Sequence, residues 1–404
     1  MYAFSLLLAM LLTVPTLVLA IETTAASYLK RSQPNTETFQ EDISIAVLVP
    51  AHNEAQGIAS VLDGILGQLR AQDQLIVVAD NCTDETAAIA RAMGATVLER
   101  HNPHERGKGY ALDFGLKALS ANPPDAVVIM DADCQVQSGS LPQLAAWSVH
   151  MGTPTQAIYL FETPDSPTSK ALISAFAIKV KNWVRPLGLS QLGLPSLLFG
   201  TGMAFPWHVL SSVNLASSHI VEDMKLSLDL AIAGYPALLS RSVVVTGKLP
   251  QAASAATSQR TRWEHGHLQV IKKYAPRLLW ESIKQRRIGL LALSLELIVP
   301  PLSLLVLLWV VAFISVSIIG LIKTFWLPPV ILGTAGGLLV YAIATAWFNF
   351  ARNDLPLSRL LTAVGYVLWK IPLYFKFLVS PQSAWVRTER DNVGADIDPT
   401  KPVP

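Results

Sequence analysis

Residues 126–133 read AVVIMDAD. The apolar part, 126–130, is short and rich in β-branched residues, so it predicts a buried strand. Asp131 and Asp133 end it, two residues apart. Alone, such a pair reads as readily as a solvated turn. Here the surrounding sequence repeats the pattern. Residues 44–50 (SIAVLVP) and 74–79 (QLIVVA) are further apolar runs, followed by His52-Asn53-Glu54 and Asp80-Asn81. Residues 96–99 predict one more strand. Between the strands, Ile58, Val61, Leu62, Ile65, Leu66 and Leu69 recur at helical spacing. A second helix is predicted over 84–93, with Thr83 as N-cap and Gly94 as stop. A third covers Lys108–Leu119. This alternation predicts an α/β domain: a mostly parallel sheet with helices on both faces. Ligands of such sheets bind beyond the carboxyl ends of the strands. The polar residues fall there.

Outward from this middle the composition changes. The 404 residues are 51% hydrophobic and only 15% charged, against about 25% charged in ordinary soluble domains. The deficit lies at the two ends. Residues 3–21 form an apolar run close to the ~20 residues that span a bilayer. A cleaved signal peptide is the rival reading, but no basic residue precedes the run. Lys30 and Arg31 follow it, which predicts an anchor over 1–22 with the next domain in the cytoplasm. After a linker over 23–43, the α/β domain is predicted over 44–287. Lys272, Lys273, Arg277, Lys284, Arg286 and Arg287 then form a basic stretch at the cytoplasmic surface. A membrane region is predicted over 288–380, broken by Pro300-Pro301, with a span over 326–350. Leu357–Val379 carries Arg359, Lys370, Lys376 and Pro372, so it either crosses or lies in the interface. Residues 381–404 are predicted as a cytoplasmic tail. The whole reads as a multi-pass protein of the cell (inner) membrane.

Several function classes are excluded. A net charge of +2 without a run of Lys and Arg gives nucleic acid nothing to bind. No glycine fingerprint follows the first strand, and Gly107-Lys108-Gly109 meets Leu112 where a third glycine belongs. There is no P-loop and no G-x-S-x-G elbow. Cys82 and Cys134 form no disulfide framework, and His265-Gly-His267 has no third ligand at zinc spacing.

The remaining acidic residues suit transfer chemistry. Of Asp131 and Asp133, one reaches a nucleotide sugar and the other coordinates a hard divalent ion bridging its phosphates. Glu222-Asp223 lies among Val221 and Met224, where burial would raise a carboxyl pKa toward that of a general base. It is equally an acidic helix start. In Gln259-Arg260-Thr261-Arg262-Trp263, Arg262 suits a leaving diphosphate and Trp263 a sugar face. An Arg/Trp membrane belt is the alternative. Lys108 is either a phosphate contact or a helix-surface lysine.

Taken in order, Asp80, Asp131-Ala132-Asp133, Glu222-Asp223 and Gln259–Trp263 resemble the motif set of the family 2 glycosyltransferases. More narrowly, they resemble the membrane-integrated cellulose, hyaluronan, chitin and poly-N-acetylglucosamine synthases and their relatives. The resemblance covers residues 44–263 and the membrane layout. It implies a GT-A fold, inversion at the anomeric carbon, a UDP-sugar donor and Mg2+ or Mn2+. It further implies that Ala51, Glu54, Asp80, Lys108 and Asp131 bind the nucleotide sugar. Asp133 would hold the metal. Asp223 would act as base with Glu222 beside it, and Gln259, Arg262 and Trp263 would close on the diphosphate and acceptor. Gly200–Met203 resembles the stretch lining the acceptor site, and Trp385-Val386-Arg387-Thr388 a cytoplasmic motif of some members. Val221 stands where the family often has Thr.

The expected activity is exopolysaccharide synthesis, with an export or accessory subunit as a further partner. The alternative is single transfer to a membrane lipid of the ceramide or hopanoid kind. Residues 169–185, apolar with interspersed Lys, Trp and Arg, predict an interfacial helix that admits such a lipid, or an ordinary domain helix. A nucleotide-binding scaffold without catalysis and a transporter are further readings. The transporter reading is weakened because Glu296 is the main charge expected inside the membrane segments.

Overall fold

The computed structural model describes residues 1–33, 42–163, 166–217, 221–249 and 253–380. Chain order is α1 (Tyr2–Tyr28), β1 (Ile45–Ala51), α2 (Ile58–Leu66), β2 (Gln74–Asp80), α3 (Thr86–Ala92) and β3 (Thr96–Arg100). Then come α4 (Lys108–Leu119), β4 (Ala126–Ile129), β5 (Cys134–Val136), α5 (Ser140–Met151), β6 (Thr155–Glu162), α6 (Ser169–Lys179) and α7 (Arg185–Gln191). β7 (Met203–Pro206), α8 (Trp207–Leu210), α9 (Glu222–Ala233), β8 (Leu238–Lys248) and α10 (Ala253–Gln285) complete the middle. The end of the chain holds α11 (Ile288–Ile298), α12 (Leu302–Lys323), α13 (Leu327–Phe350), α14 (Leu357–Leu360) and α15 (Ala363–Val379).

The strands form one eight-stranded sheet, ordered β3-β2-β1-β4-β7-β6-β8-β5. The β3-β2-β1-β4 half is parallel, as the alternation predicted. The other half is mixed. β7 runs antiparallel to β4 and β6, and β5 antiparallel to β8, while β6 and β8 are parallel. Its reversal has a use. Met203, at the start of β7, pairs with Ile129 near the end of β4. The turn before β7 therefore arrives at the same sheet edge as Asp131.

Both faces of the sheet are covered. Val47, Val49 and Val128 pack on one side with α2, α5, α9, α10 and α11. Leu48, Val127 and Ile129 pack on the other with α4 and α8. This is the period of two of a pleated strand, and burial on both faces explains why β1 and β4 read as unbroken apolar runs. Burying each Val or Leu contributes roughly 1.5–3 kcal/mol. The second helix starts at Thr86, not at 84, and its N-cap is Glu85. Thr83 caps nothing there; its backbone N–H donates to Asn53 Oδ1 at 2.7 Å instead.

Among the described residues, four helices are long and apolar enough to cross a membrane: Tyr2–Tyr28, Leu302–Lys323, Leu327–Phe350 and Leu357–Val379. Their outer faces expose Leu7, Leu11, Ile314, Ile318, Val340 and Phe375, a surface that water would not tolerate. Pro300-Pro301 separates α11 from α12, so the apolar block is a short helix followed by one of membrane-spanning length. The last segment, Leu357–Val379, is itself broken into α14 and α15.

Arg185 joins these helices to the sheet domain. Its Nε donates to Glu22 Oε2 of α1 at 2.8 Å, and its Nη2 to Glu296 Oε2 of α11 at 2.7 Å. All three are buried. The apolar segments thus hold Glu22 as well as Glu296, more internal charge than composition suggested. Next to this cluster α7 crosses α1 so closely that a Cβ on Gly188 would lie 2.1 Å from the Glu22 carbonyl oxygen. Backbone cannot yield as a side chain does. Gly188→Ala is expected to destabilise the fold by about 1–3 kcal/mol, as overpacking does. A lowered melting temperature in detergent checks it, and an unchanged one contradicts the contact.

Candidate active site

The carboxyl ends of β1, β2 and β4 meet above the sheet, where ligands of such sheets bind. Past β1, His52 Nδ1 donates to Asp80 O at 2.7 Å, and Asn53 Nδ2 to Thr83 Oγ1 at 3.1 Å. The backbone N–H of Glu54 donates to Thr86 Oγ1 at 2.8 Å. The first two strand ends are thus stitched together. Asp80 is buried, and its Oδ1 accepts from Arg100 Nη1 at 2.8 Å.

Lys108 opens α4 and makes an ion pair with Asp131. Its Nζ also donates to Gly200 O at 2.7 Å. The backbone N–H of Asp131 donates to Thr201 Oγ1 at 3.0 Å. The turn before β7 therefore fixes the strand-end carboxylate from behind. A Cβ on Gly200 would lie 3.3 Å from Asp223 Oδ2 and 3.8 Å from Lys108 Nζ. This puts Asp223 beside the Lys108–Asp131 pair. Gly200 has φ +92, which L side chains avoid.

Glu222 and Asp223 are the first residues of α9. They are both an acidic helix start and part of the site. Burial, then the Asp223 charge, pushes the Glu222 carboxyl up to about 7. Burial also raises Asp223 and Asp131, the latter against the pull of Lys108. Burial works against the Lys108 charge, but Asp131 and Glu222 outweigh it and raise its pKa. The sign for Glu222 follows. Its folded-state value exceeds the ordinary 4.5, so the stability it gives is full below that value and lost as pH rises through about 7. The protein should melt lower as pH rises through this window, and Glu222→Gln should flatten that slope. Equal slopes in both proteins would contradict the assignment.

One cleft of about 570 Å³ runs from these strand ends to the apolar helices. Ala51, Glu54, Asp80, Lys108, Asp131, Asp133, Glu222, Asp223, Gln259, Arg262 and Trp263 all line it. The structure therefore brings these eleven residues together in one cleft. Gln259, Arg262 and Trp263 come from α10, which runs across the cleft. The Trp263 ring lies 5.6 Å from Phe161, and Phe161 4.7 Å from Tyr159, giving an aromatic wall. Of Gly200–Met203, Gly200 lines the cleft, Thr201 is buried behind it and Met203 opens β7. The motif 385–388 lies outside the described residues.

Sequence reasoning missed Tyr159 and Phe161, and the Glu264–Lys370 ion pair between α10 and α15. The alternation of Tyr159 and Phe161 along one strand face was the available signal. Lys181, one of the lysines of the 169–185 segment, lies in a π-helical turn, Val180–Val184, between α6 and α7. The predicted helix over 169–185 is thus interrupted, and one side of it walls the cleft. His265 and His267 hydrogen-bond the carbonyl oxygens of Leu373 and Leu297, which accounts for both without zinc.

Asp131, Asp133 and Cys134 bring ligand atoms within 4.8 Å of one another. Burial pushes the Cys134 thiol well up, so it keeps its proton. The two carboxylates remain, a donor set suited to a hard divalent ion.

Residues 42–266 match the family described as "Glycosyltransferase like family 2". An uncharacterized glycosyltransferase of Mycobacterium tuberculosis is 36% identical over 103 residues, 26% of this chain and 43% of that protein. The chain thus spans less than half of that relative's length. The probable glycosyltransferase YdaM of Bacillus subtilis is 22% identical over 265 residues, 62% of this chain and 61% of that protein. The mannosyltransferase PcManGT of Pyrobaculum calidifontis, solved with GDP-Man and Mn2+, superposes with a TM-score of 0.55 at 18% identity. That match covers 91% of this chain and 99% of the other, and it shows a shared fold. With its sheet, its strand-end carboxylates and this match over more than half its length, the chain belongs to the glycosyltransferase family 2-like proteins.

Proposed function

We propose that the protein is an inverting glycosyltransferase, moving a sugar from a UDP-sugar to an acceptor hydroxyl at the cytoplasmic face of the cell membrane. The observation that carries this is the single cleft holding all the expected acidic, basic and aromatic side chains. Asp80, Ala51, Glu54 and Asp131 stand at the strand ends, where the nucleotide and its sugar would lie. Lys108 holds the Asp131 carboxylate in place. Asp133, with Asp131, would hold Mg2+ or Mn2+. Once bound, that ion offsets the charge of the departing diphosphate. Arg262 supplies further positive charge there, and Trp263 a face for the acceptor sugar.

Asp223 takes the proton of the acceptor hydroxyl as that oxygen attacks the anomeric carbon and the bond to UDP breaks. Two adjacent carboxyls titrate as a pair. Burial raises both carboxyls, which makes the pair a better proton acceptor for this step. The relative solved with GDP-Man and Mn2+ supports a metal and makes GDP-mannose a donor worth including.

The ordered motif set supports a growing β-linked polysaccharide as acceptor, in the manner of the membrane-integrated synthases, with an accessory or export subunit. A membrane lipid as acceptor is supported by the apolar end of the cleft, where Leu19, Val299 and Leu302 line it. Membranes containing the protein, given separate UDP-sugars and GDP-mannose with Mn2+, decide between them. A large, solvent-insoluble labelled product makes it a polysaccharide synthase. A small product extracted with lipid makes it a glycolipid enzyme. Donor hydrolysis with no transferred sugar would contradict both.

A further inference from the structure

Among the described residues, two cations lining the cleft lack a hydrogen-bond or ion-pair partner, the exposed Arg106 and the half-buried Lys181. Lys108 pairs with Asp131, Arg185 with Glu22 and Glu296, and Lys370 with Glu264. Arg260 Nε donates to Ser174 Oγ at 3.0 Å. Lys181 lines the same cleft, half-buried, and among the described residues its ammonium has no hydrogen-bond or ion-pair partner. An ammonium partly removed from water costs free energy unless an anion meets it. Burial depresses its pKa, and Asp223 is the carboxylate that acts on it most strongly. Lys181 also sits in the π-turn Val180–Val184. Such turns interrupt the helical ladder and occur frequently at functional sites.

Its place tells which ligand it serves. Nucleotides bind at the strand ends, and Lys181 is not on that wall. It lies in a turn whose Val180 and Val184 pack with Leu19 of α1, Val299 and Leu302, and Ile178, Leu19 and Val299–Leu302 line the same cleft. That side of the cleft is apolar and continuous with the membrane-length helices. An anion there arrives attached to something apolar.

We propose that Lys181 binds the anionic headgroup, a phosphate or like group, of an amphiphilic acceptor whose apolar chain lies along Leu19, Ile178, Val299 and Leu302. The proposal rests on the glycosyl-transfer reading of the cleft and names its acceptor class. The headgroup anchors the acceptor beside Asp223, and a separate hydroxyl of the acceptor gives up its proton there.

The test uses the full-length protein in nanodiscs of zwitterionic phosphatidylcholine. Binding of monododecyl phosphate, dodecanol and inorganic phosphate is measured by titration, with UDP and Mn2+ as a separate arm. Monododecyl phosphate should bind about tenfold or more tighter than either partial probe, because charge-assisted contact and apolar burial add. Lys181→Met should erase the preference for phosphate over alcohol, and Lys181→Arg should keep it. UDP affinity should be the same in all three proteins. A preference that survives in Lys181→Met overturns the proposal. So does a loss of UDP affinity in that variant, which would place Lys181 on the donor's diphosphate, and so does tight binding of inorganic phosphate alone. Failure of UDP to bind the unaltered protein is a different result, and it would remove the glycosyl-transfer reading itself.

Discussion

Asp223→Asn should lower sugar transfer about 10²–10⁴-fold, the range lost when a general base is removed. Asn preserves size and hydrogen bonding but cannot take the acceptor's proton. Its neighbours are Gly200 and the Lys108–Asp131 pair, so the donor's end of the cleft stays intact. UDP affinity should therefore remain within a few fold. Glu222→Gln should cost less, since Gln imitates the protonated carboxyl that Glu222 presents below about 7. Steady-state rates for both variants, with UDP binding measured in parallel, check the ranking. If Glu222→Gln were the deeper loss, the roles within the pair would be exchanged. If both variants kept full rate, the cleft would be a binding site without catalysis.

The largest expected loss of stability is at Arg185. Its guanidinium sits between Glu22 and Glu296, with 5% of its side chain exposed against 2% and 3% for theirs. Removing one partner of a buried ion pair leaves uncompensated charge and costs about 3–5 kcal/mol. Arg185→Met leaves two carboxylates facing each other and should lower the melting temperature in detergent sharply. Combining it with Glu22→Gln and Glu296→Gln should recover much of the loss, because no buried charge then lacks a partner. If the triple variant were no more stable than Arg185→Met, the ion cluster would not be what holds α1 and α11 to α7.

The parallel half of the fold was legible because β1, β2 and β4 are covered on both faces and so read as plain apolar runs ending in polar residues. β8 was not. Its 11 residues include Ser240, Arg241 and Ser242, which break the run, and its alternation is blurred by a bulge opposite Gln156–Ile158. The acidic residues of the site were found because each sits at a strand end or helix start that local pattern predicts. What local pattern cannot predict is a partner far along the chain. The Arg185 contacts join residues 163 and 111 positions apart. The Lys108–Asp131 pair likewise depends on two elements meeting. The 169–185 segment was read as one helix with Lys181 on it, and the break escaped because a π-turn shifts the helical register by a residue without any marker in composition.

Whether the cleft transfers sugar with the help of a divalent ion is decided by turnover of the purified protein in nanodiscs. It would be given membrane lipid extract, each UDP-sugar in turn, GDP-mannose, and Mg2+ or Mn2+. Release of nucleotide and transfer of labelled sugar would be followed together. One donor should be turned over with transfer of its sugar, the rate should collapse on chelation, and Asp133→Ala should abolish it at ordinary metal concentration. Transfer that persists at full rate in Asp133→Ala, or with the divalent ion removed, would contradict metal-dependent transfer.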